Sequence, residues 1–588
     1  MWLLKLQRTP RLILICVALG VIGALGAQLF LFLLHIFDAY VLGAIGGYHT
    51  IHVSGAHAMA RAPRLFTHFY WLMPISTTLG GLAAGILIYS LAPETEGHGT
   101  DATLIAFHRN NGRMRSRVPF VKTLASAITI GTGGSGGREG PTAQIASGAG
   151  AIIGHVFNLP DDERRLVILI GMAAGLSAIF KSPLGTAIFA VEILYSRMAF
   201  EGEALIFTLI SAAIAYSITG IFSGYTPLFL LPRSSHSLAP IDLLWFSLLG
   251  VAAGALGALM PRIFYGFRDW FAAMKVPRVF KPAIGGLAVG LIGIAVPPIT
   301  GGGYGYMQFV LQGGAGLAVW AMLLFAFGKI LTLSLTIGSG GSAGVFGPTT
   351  YIGVMLGGVF GGVLHLLHAD VDATWFAVVG MAAVFAGTAR VPIAALVMAV
   401  EMTGGFTLIM PTMLAVAIAF LVQMLLTRNA KYPTIYEHQA RTPADSPVHR
   451  EMFYQMANDL LRRRQGLIGD IGVEGELQAA SESGESVPLR LRHEHLYRLS
   501  IPTGSPVAGK EVRALGLAEI GALIVGVIRG EGEIIPHGGT RLQVRDGLLV
   551  AATAESIQTF RDLIGAPSAR SELSEPESSS AAGTRANS

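Results

Sequence analysis

Long apolar runs dominate this chain of 588 residues. A helix needs about 20 apolar residues to cross roughly 30 Å of hydrocarbon. Runs long enough to do so occupy residues 12–37, 69–92, 203–224, 241–262, 317–336 and 408–427. Because apolar residues make up 52% of the sequence and charged residues only 13%, we predict an all-α polytopic membrane protein that is surrounded by the lipid bilayer.

Shorter apolar stretches, interrupted by Gly and Pro, lie between the long runs. They occupy residues 120–136, 142–157, 166–180, 184–195, 281–297, 349–367 and 374–404. A membrane tolerates broken helices only where protein or a water-filled cavity satisfies the backbone. These stretches therefore indicate tilted, short or discontinuous helices that are buried among the others. The first long run has no small-residue cleavage site after it, so we expect a retained helix.

The net charge of +5 has a topological explanation. Lys5, Arg8 and Arg11 precede the first long run, and Arg428 and Lys431 follow the last. Because loops with excess Lys and Arg stay in the cytoplasm, we expect both termini there. We predict a multi-pass protein of the cell membrane, the inner membrane of a prokaryote, and no nucleic-acid partner.

The sequence also contains an internal repeat. "GGSGGREGPTAQI" at 133–145 aligns without gaps on "GGSAGVFGPTTYI" at 340–352, with eight identical positions. A second pair of segments, 171–192 and 380–401, repeats in the same order. We therefore predict two repeats, about 12–230 and 240–430. By analogy with secondary transporters, the two halves are expected to be inverted.

The first repeated loop contains G-x-G-x-x-G at Gly131, Gly133 and Gly136. That spacing marks a nucleotide site only between a strand and a helix of a soluble βαβ unit, so the membrane context argues against it. A helix that begins at a glycine-rich turn presents unpaired N–H groups and the positive end of its dipole. We interpret the loops as an anion site. The alternative is that the glycines merely let helices cross.

Three glutamates lie within the apolar segments, Glu139, Glu192 and Glu401. A cation transporter would be expected to line its path with more acids. Glu192 and Glu401 occupy equivalent repeat positions, which favours a shared structural role, such as accepting hydrogen bonds from helix ends. Glu139 aligns with Phe346 instead and lies in the proposed anion loop. A carboxylate there can imitate the anion or leave when it is protonated.

These motifs resemble those of the CLC family of chloride channels and proton/chloride exchangers. "GREGP" at 137–141 is similar to the gating-glutamate motif of that family, and "GVFGP" at 344–348 to its G-x-F-x-P motif. The late "TIYEHQ" at 434–439 also fits. The resemblance covers about residues 12–440 and implies a homodimer in which each subunit has its own anion pathway.

The resemblance also implies roles for individual residues. Glu139 would be the external gate, and the carboxylates of Glu192 and Glu401 would be structural. The residues implied in chloride binding are Gly137, Arg138, Gly344, Val345, Phe346 and Tyr436. Val345 and Phe346 would offer backbone N–H groups, and Tyr436 would offer its hydroxyl.

The chain departs from the family pattern at the inner end of the anion site. Where the family commonly has G-S-G-I-P, this sequence has "GHGTD" at 97–101. His98 therefore replaces a serine, either as a donor to chloride or as a polar residue at a helix entrance. Asp101 replaces a proline, and it is equally interpretable as a helix cap.

The second departure concerns protons. Many exchangers carry an inner glutamate immediately after the position of Glu192, whereas this chain has Ile193. An aliphatic side chain cannot relay a proton. The sequence therefore favours a chloride channel gated by a protonatable glutamate, with a proton/chloride antiporter that uses another inner proton path as the alternative.

A soluble region follows the predicted transmembrane domain of residues 1–440. We expect a connecting helix and linker at 441–485, a domain at 486–565 and a disordered tail at 566–588. The segment 486–565, with strands in "LRLRHEHLYRLSI", "ALIVGVIR" and "GLLVAAT" and a short helix near 508–516, is predicted to be a small α+β domain. It resembles the C-terminal domain of regulators of potassium conductance (RCK-C), which implies dimerisation and a small regulatory ligand such as a cyclic dinucleotide.

Two other function classes stay open at this stage. A cation transporter is suggested because the RCK-C domain usually occurs in regulators of potassium conductance. A ligand-sensing membrane receptor is suggested by the presence of a tail domain. Potassium flux without anion flux would identify the first, and the absence of any flux the second. An enzyme is not expected, and neither is a resident metal or cofactor, since chloride is the substrate.

Overall fold

The computed structural model describes residues 7–51, 70–232, 238–314, 317–367, 371–448, 487–488, 495–529, 532–534, 536 and 538–565. The chain forms two compact units, Met1–Thr442 and Pro443–Ser588. Residues 449–485 of the predicted connecting helix and linker, and the tail at 566–588, lie outside the described residues.

The first unit is built from α-helices. In chain order they are α1 (Arg8–Phe37), α2 (Met73–Leu91), α3 (Thr100–Arg109), α4 (Val118–Gly131), α5 (Glu139–Val156), α6 (Asp161–Phe180), α7 (Pro183–Glu192), α8 (Gly202–Ser223), α9 (Pro240–Ala273), α10 (Lys281–Gly293), α11 (Tyr304–Leu311), α12 (Val319–Gly338), α13 (Phe346–Leu366), α14 (Ala373–Ala389), α15 (Pro392–Thr403) and α16 (Ile409–Leu426). Within the described ranges, seven segments are long and apolar enough to cross a membrane. Six of them coincide with the long apolar runs, which confirms the predicted helical membrane architecture.

The helices form two series, α1–α8 and α9–α16, that use the same packing partners. In the first series α1 packs on α8 and α5 packs on α6, and in the second α9 packs on α16 and α13 on α14. The turns that end α4 and α12 also match, since Gly133 and Gly340 have φ angles of 105° and 102°. L side chains rarely adopt that conformation, so the repeat is one of backbone geometry as well as sequence.

Glu192 and Glu401 connect the two series reciprocally. The Glu192 carboxylate accepts hydrogen bonds from the N–H groups of Ile393 and Ala394, at 3.1 and 2.7 Å, where α15 begins. The Glu401 carboxylate accepts one from the N–H of Gly185, at 2.9 Å, where α7 begins. Each carboxylate thus satisfies the first turn of the matching helix in the other repeat, as expected for two halves related by a pseudo-twofold axis.

The second unit contains a five-stranded antiparallel sheet. Its strands are β1 (Val487–Pro488), β2 (His495–Ser500), β3 (Ala522–Arg529), β4 (Gly532–Ile534) and β5 (Gly547–Ala552), in the order β1-β2-β5-β3-β4. The unit also contains two α-helices, α17 (Leu517–Ile520) between β2 and β3, and α18 (Ala554–Ile564) after β5. The apolar face of α18, with Ile557, Phe560 and Ile564, is buried in the core of this unit.

The sequence prediction for this unit needs two corrections. The short helix expected near 508–516 is a 3-10 turn at Val512–Leu515 followed by α17. Gly509, within the predicted range, and Gly516, between the 3-10 turn and α17, have positive φ angles of 81° and 62°. A continuous right-handed helix does not contain such angles. The helix α18 was not predicted, because its polar face makes the mean hydropathy of the segment low.

Asp546 is expected to make the stability of this unit depend on pH. Its carboxylate is 1% exposed and accepts hydrogen bonds from Arg529, at 2.8 and 2.7 Å, and from the N–H of Gln543 at 2.7 Å. Burial alone would raise the pKa of Asp546, but these bonds outweigh it and hold the pKa below its ordinary value. The stabilisation is therefore present above about pH 4 and is lost as the pH falls through the lower folded-state value.

Asp546→Asn should consequently cost about 1–2 kcal/mol near neutral pH, since Arg529 is partly exposed. The measurement is hydrogen exchange of β3 and β5 amides in the full-length protein, compared at equal pH. Arg513→Gln, which removes an exposed pair with Glu511, is the matched control and should leave those amides protected. Equal protection in Asp546→Asn and wild type would contradict this prediction.

Candidate functional site

Three glycine-rich turns meet inside the first unit. Gly137 and Gly344, from the two repeats, exchange backbone hydrogen bonds of 2.7 and 2.6 Å. The third turn joins them, because the N–H of Gly97 donates to the carbonyl of Gly341 at 3.1 Å. Gly140 lies so close to this turn that a Cβ there would stand 2.0 Å from the carbonyl oxygen of His98. The motifs at 97–101, 137–141 and 344–348 therefore form one site.

Helices begin at each of these turns. Thr100 starts α3, Glu139 starts α5 and Phe346 starts α13, with Val345 as the residue before the first turn of α13. The first N–H groups of a helix have no acceptor within it, and they carry the positive end of its dipole. Three such ends in one place make a backbone cradle suited to an anion.

The Glu139 carboxylate lies in this cradle. The residue is 1% exposed, and its Oε2 accepts a hydrogen bond from the N–H of Gly347, in the first turn of α13, at 3.2 Å. Its Oε1 has no hydrogen-bond partner among the described residues. The side chain from one repeat therefore uses an N–H group that the helix of the other repeat would otherwise offer to an anion.

Two tyrosines and an arginine surround the cradle. The hydroxyls of Tyr436 and Tyr304 are buried without a hydrogen-bond partner in the part of the chain that the structure describes. Thr100 lies beside the Tyr436 hydroxyl outside hydrogen-bond geometry. The Arg138 guanidinium stacks over the Tyr304 ring, 4.3 Å from its centroid. These groups offer O–H donors and positive charge, both of which suit an anion.

The Phe346 side chain points into an aromatic cluster. Its ring centroid is 4.2 Å from that of Phe180 and 4.1 Å from that of Phe385, and Phe189 lies 6.2 Å away. The side chain is buried. Packing of the Phe346 ring in this cluster holds the start of α13 in place. Since the side chain is occupied there, only the backbone of residue 346 is left to contact an anion.

Sequence reasoning missed two buried lysines. Lys122 of α4 donates to the carbonyls of Thr95 and Gly97, at 3.0 and 2.8 Å. Lys329 of α12 donates to the carbonyl of Gly301 at 2.6 Å and, over longer distances, to the carbonyls of Ile299 and Thr300. Both are fully buried. The two lysines are 207 positions apart, which is also the distance between the aligned glycine loops at 133–145 and 340–352. This shared spacing could have identified them as equivalent positions of the repeat.

Asp101 is not a helix cap, contrary to one interpretation of the sequence. It lies inside the first turn of α3, whose N-cap is Gly99. Its carboxylate accepts hydrogen bonds from the N–H groups of Glu437 and His438, both at 3.3 Å, and is 3.1 Å from Nε2 of His98. Asp101 therefore ties the inner turn to the segment that carries Tyr436.

Ile193 follows α7 directly and is fully buried. Its neighbour Glu192 is engaged with the start of α15, as described above. The structure therefore places no carboxylate at the position where many exchangers of the CLC family have one.

Comparison with known proteins agrees with this architecture. Residues 80–424 match the family described as voltage gated chloride channel, and residues 496–565 match the TrkA-C domain. A putative chloride channel protein, ClcB-like, from Ralstonia nicotianae is 31% identical over 353 residues, which is 59% of this chain and 81% of that protein. The H(+)/Cl(-) exchange transporter ClcA of Salmonella agona is 30% identical over 381 residues, 63% of this chain and 79% of the transporter.

Solved structures share the fold. A slow cyanobacterial Cl-/H+ antiporter superposes with a TM-score of 0.61 at 22% identity, covering 72% of this chain and 95% of that one. A CLC-type fluoride/proton antiporter gives a TM-score of 0.59 at 21% identity, covering 73% and 96%. The resemblances drawn from the sequence, to the CLC family and to the RCK-C domain, are confirmed. The chain is thus a multi-pass membrane protein that belongs to the voltage gated chloride channel family, the CLC family, and carries a TrkA-C domain at residues 496–565.

Proposed function

We propose that the protein moves chloride across the membrane in exchange for protons and that Glu139 links the two ions. The observation that carries this proposal is the hydrogen bond from the N–H of Gly347 to the Glu139 carboxylate inside the anion cradle. An ionised carboxylate competes with chloride for the same N–H groups. A protonated one is neutral and has less hold on them, so proton uptake frees the cradle for the anion.

Exchange is favoured over the passive channel that the sequence put first, because one of the two relatives and both solved structures named above are an exchange transporter or antiporters, whereas the relative from Ralstonia nicotianae is named a putative chloride channel protein. The protein similar to this chain in Salmonella agona is named an exchange transporter. The passive channel is the second candidate, because Ile193 is buried where an inner proton acceptor would be expected. Both functions use the same chloride site, with Gly137, Arg138, Gly344, Val345, Phe346 and Tyr436 around it.

Reconstitution into liposomes tests the proposal. With a chloride gradient and the membrane potential clamped, we expect chloride efflux and a proton movement in the opposite direction, against its own gradient. Chloride electrodes and a pH electrode measure the two fluxes in one sample. Chloride efflux without proton movement would replace the exchanger with the channel, and potassium flux without chloride flux would reject both.

Phe346→Ala should change anion affinity or rate and leave the pH response intact. The proposed ligand is the backbone N–H of residue 346, which alanine retains, whereas loss of the ring leaves a cavity among Phe180, Phe189 and Phe385 and loosens the start of α13. We expect chloride flux to fall about threefold to tenfold, since a lost aromatic ring perturbs but does not remove the site. Measuring flux against pH checks this, and a flattened pH profile in the variant would contradict it.

We also propose a homodimer with its termini and TrkA-C domain in the cytoplasm. The basic residues beside the first and last long helices support that orientation. For the TrkA-C domain we propose a regulatory role through a small ligand, with a cyclic dinucleotide as the first candidate.

A further inference from the structure

His98 occupies an unusual position at the inner side of the anion cradle. It is 6% exposed, and its ring centroid lies 5.4 Å from that of Tyr436. Its backbone carbonyl packs against Gly140 of the Glu139 turn. His98 also lines a cavity of about 1000 Å³. It therefore lies between this cavity and the residues of the cradle.

Asp101 determines which ring nitrogen of His98 carries a proton. Each oxygen of the carboxylate already accepts a hydrogen bond from a backbone N–H, of Glu437 or of His438, an arrangement that favours the ionised form. Its oxygen is 3.1 Å from Nε2 of His98. Since a carboxylate without a proton can only accept, Nε2 must be the protonated nitrogen.

The other nitrogen then has two states with opposite chemistry. In the neutral ring, Nδ1 is a bare lone pair, which repels an anion. In the imidazolium ion, Nδ1–H is a donor that carries positive charge. Nδ1 is buried and has no hydrogen-bond partner among the described residues, and the same is true of the Tyr436 hydroxyl beside it. Nδ1 of His98 and the Tyr436 hydroxyl can therefore each bind a ligand. The tyrosine can always donate a hydrogen bond to an anion, whereas Nδ1 can do so only when the ring is protonated.

We propose that His98 is a proton-dependent chloride ligand at the inner end of the pathway, and that Asp101 is the positioning residue that makes it so. The proposal rests on the chloride transport proposed above. One chloride and one proton, taken from the water of the inner cavity, bind together, and both leave when the ring loses its proton. This gives the chain a titratable group on the inner side, where Ile193 offers none.

Other charged groups around this cavity are largely paired. Arg268 of α9 donates to Glu437, and Arg115 donates to Glu94. Lys122 holds backbone carbonyls of the turn that precedes α3. The other charged or titratable side chains that line the cavity are Glu96, Arg109, Arg113, Tyr265 and His438. Arg138, Glu139, Tyr304 and Tyr436 surround the cradle beyond it. His438 is a second imidazole beside the cavity and Glu139 competes for the anion, so both must be controlled.

The experiment measures chloride affinity against pH in a chain that already carries Glu139→Gln, so that the gate no longer titrates. Purified full-length protein in isethionate buffer is titrated with chloride by calorimetry between about pH 5.5 and 8, the range in which histidine changes charge. We expect affinity to weaken by up to about tenfold per pH unit on the alkaline side, the limit for one proton bound per anion. Adding His98→Ser, which supplies a hydroxyl that does not titrate, should flatten this dependence while binding persists.

Two further variants sharpen the test in the same background. Asp101→Asn should reduce the slope, because an amide no longer provides the counter-charge for the imidazolium ion, and His438→Gln should retain the slope. A slope that survives in His98→Ser, or a flat profile in Glu139→Gln alone, would overturn the role of His98. Absence of chloride binding at every pH would instead contradict the proposed function, so the two failures are distinguishable.

Discussion

Chloride flux through Glu139→Gln is expected to be independent of external pH and accompanied by no proton movement. In the wild type, flux should rise as external pH falls, because protonation releases the carboxylate from the N–H of Gly347 and opens the cradle to chloride. Glutamine has the same shape without a negative charge, so it imitates the protonated state at every pH. Glu139→Ala removes the side chain and should behave similarly.

Simultaneous recording of chloride and proton flux in liposomes measures this effect. We expect proton flux in both variants to fall to the level of protein-free liposomes, which is the largest change predicted for transport. Glu192→Gln is the matched control, since Glu192 is also a buried glutamate but binds the start of α15 instead of the cradle. It should keep the pH response. If Glu139→Gln kept that response, another group would have to be the gate, and His98 would be the first to test.

Gly140→Ala is expected to slow chloride transport about a hundredfold. A Cβ at this position would lie 2.0 Å from the carbonyl oxygen of His98 and 3.0 Å from the Cα of Gly344. Both are backbone atoms, so no side-chain rotation relieves the clash. The three turns would have to separate, and a displacement of about 1 Å in a site built from oriented N–H groups costs on the order of a hundredfold in rate.

Gly26→Ala is the control for this substitution. Gly26 is also a helical glycine, but the nearest atom to its added Cβ would be Ile145 Cγ2 at 3.9 Å, an ordinary contact. It should transport at the wild-type rate. Flux and size-exclusion profiles of both variants separate a damaged site from a misfolded protein. Wild-type flux in Gly140→Ala would show that the turns do not need their present contact.

Local sequence patterns predicted much of the membrane fold because the bilayer imposes simple rules. A long apolar run such as 203–224 must become a helix, since no other structure satisfies its backbone in lipid. The glycine turns were identifiable from their duplication, as Gly133 and Gly340 illustrate. The helix α18 was missed although Ile557, Phe560 and Ile564 recur at helical spacing. Its polar face makes the segment far less apolar than the transmembrane runs, so a search for long apolar stretches passes over it.

Roles that depend on distant partners could not be predicted in this way. Asp101 looked like a helix cap because its sequence neighbours begin a helix, yet its backbone partners at 437 and 438 are more than 330 positions away. Lys122 and Lys329 looked like ordinary charges in apolar helices, and only the folded chain brings backbone carbonyls to them. A buried charge needs partners, but sequence does not say where they come from.

The sequence by itself determined that this chain enters a membrane, that its two halves are copies, and that Glu139 breaks their symmetry within the motif that we propose to bind the anion. The length of an apolar run and the repetition of a motif depend only on residues that are close in sequence, so both can be recognised without the structure. Only the tertiary structure decided that the carboxylate of one repeat reaches the helix of the other, and which nitrogen of His98 faces Asp101. These are matters of distance and direction between atoms from separate segments, and packing of the whole helix bundle sets them.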